Sequence, residues 1–197
     1  MSYRSELIFQ ELRRALERPG ARGVLVTVRA TSVTRINLAV LRVLLTERGE
    51  RGIFLSLDRP DRHMLELLER HNLATSGEAS SSQEARPKKI VVAAGVISPV
   101  EFLDEVLARL SDRERAPALE EDLRSFQFIM VDNLSSMALY SGPRNLERFF
   151  RGMEELLLRF PNLRYVFVTA RGAPPEVIAL ARTVCPVEVD IKDEWLI

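Results

Sequence analysis

The chain has 197 residues, 46% of them hydrophobic, and its 28 Lys+Arg are matched by 28 Asp+Glu. A chain of this length buries an ordinary core as one domain, and zero formal charge removes the electrostatic footprint of nonspecific nucleic-acid or anionic-membrane binding. The single cysteine, Cys185, excludes an internal disulfide, no apolar run approaches the ~20 residues that span a bilayer, and the first residues lack the pattern of a secretory leader, so a cytoplasmic protein without membrane insertion is expected.

Ser5 to Glu17 places Ile8, Leu12, Ala15 and Leu16 on one helical face and stops at Arg18-Pro19-Gly20. Val24 to Val28 is a short β-branched and apolar run, and Leu38, Leu41, Val43, Leu44 and Leu45 follow at helical spacing up to Gly49. Between them lies an eight-residue connection, Arg29 to Ile36, without a glycine. Gly52 to Leu57 reads as a second buried strand ending at Asp58, and Pro60 opens a helix carrying Met64, Leu65, Leu67 and Leu68. Residues 74–88 are Thr-, Ser- and Gly-rich with almost nothing to bury, and a mobile loop is expected there.

Ile90 to Ala94 reads as a third strand, and Ser98-Pro99-Val100-Glu101 supplies a cap, a first-turn proline and a capping-box acid for a helix with Phe102, Leu103, Val106, Leu107 and Leu110 on its stripe. Ser111 to Asp122 reads as a polar link to the fourth and most apolar strand, Phe126 to Val131, which ends in Asp132-Asn133. Leu146, Phe149, Phe150, Met153, Leu157 and Phe160 mark a long amphipathic helix that Pro161 ends. Tyr165 to Val168 is a fifth strand, Pro174-Pro175-Glu176 starts a last helix, and Val187, Val189 and Ile191 alternate as a sixth strand. Strands alternating with helices imply an α/β fold, a mostly parallel sheet covered on both faces.

Three stretches carry a family resemblance. Gly49 to Asp58, GERGIFLSLD, resembles the strand that brings acidic catalytic residues to a nucleotide. Phe128 to Ser136, FIMVDNLSS, resembles a Walker B strand and its sequel, and Gly23 to Leu45 matches a P-loop strand and helix in length and hydrophobic phase. On these residues nearly the whole chain resembles the RecA-like core of P-loop ATPases, in its KaiC-like branch. The resemblance implies the strand order third, second, fourth, fifth, first, sixth, with the ligand at the carboxyl ends of the strands.

A Walker A loop, G-x-x-x-x-G-K-S/T, uses glycines to wrap backbone N–H groups around phosphates, a lysine for the β- and γ-phosphates and a hydroxyl for magnesium. Laid on Arg29 to Ile36, the glycine positions hold Arg29 and Thr34, the lysine position holds Arg35, and the hydroxyl position holds Ile36. A Cβ opposes the glycine conformations, and isoleucine offers a metal no oxygen. Arg35 then reads either as a phosphate fork or as a surface or partner-facing residue. Where the KaiC-like pattern closes the second strand with two carboxylates, this chain has Asp58-Arg59, so Asp58 is either a general base or a strand-end cap. Asp132 is either a ligand of magnesium-bound water or a turn-stabilising aspartate, and Thr169 occupies the place of a polar sensor.

The remaining candidates have plain explanations. His63 and His71 lack metal-pair spacing and read as surface residues, Cys185 reads as packed, and Glu120-Glu121-Asp122 as a solvated boundary. Arg144, Arg148 and Arg151 lie on the polar side of the long helix without interleaved aromatics, so nucleic acid is not expected as a partner. A Rossmann domain lacks its G-x-G-x-x-G and a phospho-receiver its acidic residues after the first strand.

Two functional readings follow. The first is a RecA/KaiC-like domain without catalysis or a committed cofactor, a regulatory or scaffolding protein that contacts a protein partner, a catalytic relative or further copies of itself; Trp195-Leu196-Ile197 is a contact if exposed. The second is an ATP-binding protein or ATPase. Arg29, Thr31, Ser32, Thr34, Arg35 and Thr169 then hold ATP, with Asp58 and Asp132 as its acids and Asp132 alone toward Mg2+.

Overall fold

Alternate residues of the central strands feed two separate cores. The computed structural model describes residues 3–20, 22–57, 61–73, 90–94, 99–112, 114 and 116–196, with side chains left aside at 3–4, 61, 90–94, 99–100 and 140. Asp58, Ser98 and the stretch 74–88 lie outside the described residues.

Strands β1 (Gly23–Val28), β2 (Gly52–Ser56), β3 (Ile90–Ala94), β4 (Phe128–Val131), β5 (Arg164–Ala170) and β6 (Val187–Asp190) form one sheet in the order β3-β2-β4-β5-β1-β6. Every pairing is parallel. This is the expected strand order.

Val24, Val26, Val28, Val166 and Val168 face the core under α1 (Tyr3–Glu17), α2 (Val33–Arg42) and α3 (Asp61–Arg70). Leu25, Tyr165 and Phe167 face the core under the remaining helices. Those are α4 (Pro99–Ser111), α5 (Ala116–Ser125), α6 (Leu134–Tyr140), α7 (Pro143–Arg159) and α8 (Pro175–Val184). The period-2 alternation of a strand therefore supplies both layers, and the central strands are apolar on both faces as buried parallel strands must be. At the sheet's edge, β6 alternates buried Val187 and Val189 with exposed Glu188 and Asp190.

Gly23 is fixed by packing. A Cβ there would stand 1.9 Å from the carbonyl oxygen of Val184, where α8 ends against β1.

Three helices differ from the sequence reading. The polar link Ser111 to Asp122 contains most of α5, which buries Leu123 and half-buries Leu119, and Glu120 is engaged by Arg124 and Arg159 rather than being merely solvated. Helix α6 follows Asp132-Asn133 directly because the Asn133 side chain accepts the Ser135 amide at 3.1 Å and caps it. Helix α2 also ends early: Val43–Glu47 widen into a π turn.

Candidate functional site at the carboxyl edge of the sheet

Asp132 and Thr169 stand where β4 and β5, neighbours in the sheet, end, and the turn from β1 into α2 lies beside them. The connection from β1 is shorter than expected. Ala30–Ser32 form a 3-10 turn closed by the Ser32 amide on the Arg29 carbonyl at 2.9 Å, and α2 begins at Val33. Only residues 29–32 connect strand to helix, so the eight-residue connection is corrected to four.

The cause is local. Positive φ among the described residues occurs at Gly20, Gly49, Asn72 and Gly172, never between Arg29 and Ile36. Residues that all bear a Cβ take right-handed turns instead of the wrapped path that glycines permit.

Arg29 and Thr31 are exposed, and Arg29 Nε donates to Thr31 Oγ1 at 3.2 Å. Ser32 is buried and Thr34 half-buried. Arg35 is taken up by the turn that follows β6: its Nη1 donates to the Leu196 carbonyl at 3.0 Å. Ile36 is fully buried in the core under α1, α2 and α3. Of Trp195-Leu196-Ile197, Leu196 is buried and Trp195 is half-buried on the same core, so these two pack inward rather than standing exposed, and Ile197 lies outside the described residues.

Asp132 is 4% exposed and braces β4 to β2. The register that pairs Leu55 with Val131 sets Ser56 beside it. Ser56 Oγ donates to Asp132 Oδ2 at 2.9 Å, the Leu57 amide donates to Oδ1 at 2.9 Å, and the Asp132 amide donates to the Leu55 carbonyl at 3.1 Å. From α2, Asn37 Nδ2 donates to the Asp132 carbonyl at 3.0 Å, which fixes the amide's orientation and leaves Asn37 Oδ1 buried without a partner. Thr169, fully buried at the end of β5, shares a 3.1 Å hydrogen bond with Ser135 Oγ, and that hydroxyl also accepts the Ala170 amide at 3.1 Å.

The site is thus a hydrogen-bonded floor joining β2, β4, β5, α2 and α6. It brings Asp132 near α2 through Asn37 and ties Thr169 to α6, while Arg35 serves the carboxyl-terminal turn. Asn37, Ser56 and Ser135 are the members that sequence reasoning did not single out as candidates. For Asn37 and Ser56 the signal was available as a polar residue within an apolar run.

Magnesium fits this arrangement poorly. Both oxygens of Asp132 serve the floor and Ile36 has no ligand atom. Among the described residues no group of three or more His, Cys, Asp or Glu converges on a common point. No described helix is long and apolar enough to cross a membrane.

No family model matches the chain, and no curated protein matches it. Solved structures do. A KaiC-like protein from the hyperthermophilic archaeon Pyrococcus horikoshii OT3, PH0186, superposes with a TM-score of 0.52 over 86% of this chain and 70% of that one, at 14% identity. The fold is RecA-like. A second match, the DUF1998 helicase MrfA bound to DNA, gives a TM-score of 0.54 over 99% of this chain at 12% identity. The chain spans only 28% of that helicase's length. At these identities the likeness is one of fold. Within the RecA-like fold, Asp132 and Thr169 stand at the ends of adjacent strands, and the turn entering α2 stands beside them.

Proposed function

We propose that this RecA-like chain is non-catalytic and acts as a regulatory or scaffolding protein through contacts with a protein partner, either a catalytic relative or further copies of itself. The observation that carries the reading is the use of Asp132: its two carboxylate oxygens hold the end of β2. An acid that polarises magnesium-bound water needs an oxygen directed at the ligand. The tight turn into α2 supports the same reading, because it lacks the left-handed residues of a phosphate wrap.

A second reading, an ATP-binding protein or ATPase, draws support from one feature. Arg29 and Thr31 are exposed at the amino end of α2, and helix amino ends attract phosphate. Thermal unfolding separates the two. A nucleotide at a hundred times its dissociation constant stabilises a native protein by about 2.7 kcal/mol, a rise of roughly 5–10 °C for a domain of this size. The non-catalytic reading predicts an unchanged melting temperature in millimolar Mg-ATP; a rise of that size refutes it.

A further inference from the structure

A groove of about 190 Å3 opens between α1 and α2. Its apolar lining includes Ile8 and Phe9 of α1 and Leu38 and Ala39 of α2, and the charged or titratable residues along it are Arg35, Arg42 and His71. No carboxylate of the described residues lines it. In a chain whose charges balance overall, the described rim of this groove carries charge of one sign only, with Glu47 of the following turn near enough to feel Arg42. Arg35 and Arg42 have no carboxylate partner within ion-pair distance among the described residues; Arg35 meets the Leu196 carbonyl and Arg42 lies 5.5 Å from the centre of the Phe9 ring.

The spacing is regular. Arg35, Leu38, Ala39 and Arg42 follow at i, i+3, i+4 and i+7, so they form one stripe, with the two arginines exposed and the two apolar residues half-buried. Seven residues at 1.5 Å rise put the cations about 10 Å apart along the axis. A docked helix with two carboxylates about two turns apart and apolar side chains between them would match both charge and spacing, the helix-in-groove mode of recognition.

We infer that this groove is the docking site for an amphipathic helix of a partner protein that carries acidic residues two turns apart around apolar anchors. The inference rests on the protein-contact reading above and names the class of partner. Arg35, which holds the Leu196 carbonyl through Nη1, keeps further N–H donors for an incoming carboxylate at one end of the stripe.

A displayed library of helical peptides, randomised on one face, is selected against the full chain. The expected result is enrichment of peptides with Asp or Glu seven residues apart around Leu, Ile or Phe. Their binding should fall at least tenfold for Ala39→Arg, which fills the groove, and for Arg42→Glu, which reverses its charge, and should recover in the latter when the peptide acid becomes lysine. Unchanged melting of both variants shows that they fold, and if either fails to fold the other carries the test.

No enrichment, enrichment without acidic bias, or binding indifferent to both variants overturns the proposal. So does a dimer of the full chain, seen by sedimentation, that Ala39→Arg dissociates, because the occupant is then a second copy. Mg-ATP calorimetry on the same preparations keeps the two claims apart. Nucleotide binding untouched by Ala39→Arg refutes the non-catalytic reading alone, and loss of acidic selection without nucleotide binding refutes the groove alone.

Discussion

Ser56 Oγ donates to Asp132 Oδ2 at 2.9 Å, across the ends of two neighbouring parallel strands. With the Leu57 amide on the other carboxylate oxygen, Asp132 is a structural brace at the point where the resemblance implies a metal-binding acid. Asp132→Ala strands a buried hydroxyl and a backbone N–H, and should cost about 3 kcal/mol given roughly 1–3 kcal/mol per unsatisfied group. Asp132→Asn keeps an acceptor for the Leu57 amide and should cost only about 1 kcal/mol, since the hydroxyl can turn to accept from the new NH2. Urea unfolding of the two variants checks this; an Asp132→Ala protein as stable as the parent would contradict the brace.

Arg13 Nε donates to Glu47 Oε2 at 2.6 Å, joining α1 to the turn after α2. That hydrogen bond, more than the opposing effect of burial, holds the Glu47 carboxyl below its ordinary value of 4.5. A carboxyl depressed in the folded state stabilises above its unfolded pKa, and the contribution is lost as pH falls through the folded one. The pair is partly exposed, so the amount is small, at most about 1 kcal/mol. Arg13→Ala should raise the Glu47 carboxyl toward its ordinary value in a carbon-13 NMR titration and flatten the acid-side loss of stability. A Glu47 titration unmoved by the substitution would show that the ion pair does not form in solution.

Cys185 follows α8 with 2% exposure, and burial pushes its thiol far up from its ordinary value. A buried, protonated thiol is a poor nucleophile. Native protein should react with Ellman's reagent only at the rate of unfolding, and denatured protein at once. Rapid labelling of the native chain would contradict the packing of α8 against β1.

Gly23 leaves no room for a side chain. Its Cβ would lie 1.9 Å from a backbone carbonyl rather than against a flexible side chain, so β1 and α8 would have to separate. Gly23→Ala should lose about 3 kcal/mol, at the upper end for overpacking, or fail to fold. Retained stability in a denaturant titration would count against this close approach.

Strands β1, β2 and β4 were legible because each is a short apolar run buried on both faces, a pattern that survives without knowledge of neighbours, and β6 was legible from its alternation of Val187 and Val189 with Glu188 and Asp190. Their order came from the family resemblance. Helix α5 was hidden by its charges: its buried stripe reduces to Leu119 and Leu123 in an acidic segment, and the reason that segment is helical lies in long-range contacts such as Arg159 with Glu120. The turn into α2 was set too long because a P-loop's length was laid on residues that lack its glycines. At the site, Asp132 and Thr169 could be placed on strand ends, but their partners could not. Ser56 meets Asp132 through a register 76 residues apart, and Ser135 meets Thr169 from 34 residues away, and neither pairing has a local signal.

The proposed non-catalytic role makes the carboxyl edge of the sheet a structural floor rather than a site of ATP chemistry. Calorimetric titration of the full chain with Mg-ATP tests it most directly. The account predicts no saturable heat at millimolar nucleotide. Saturable micromolar binding that Arg35→Ala and Asp132→Ala each abolish, in proteins shown to remain folded, would contradict it.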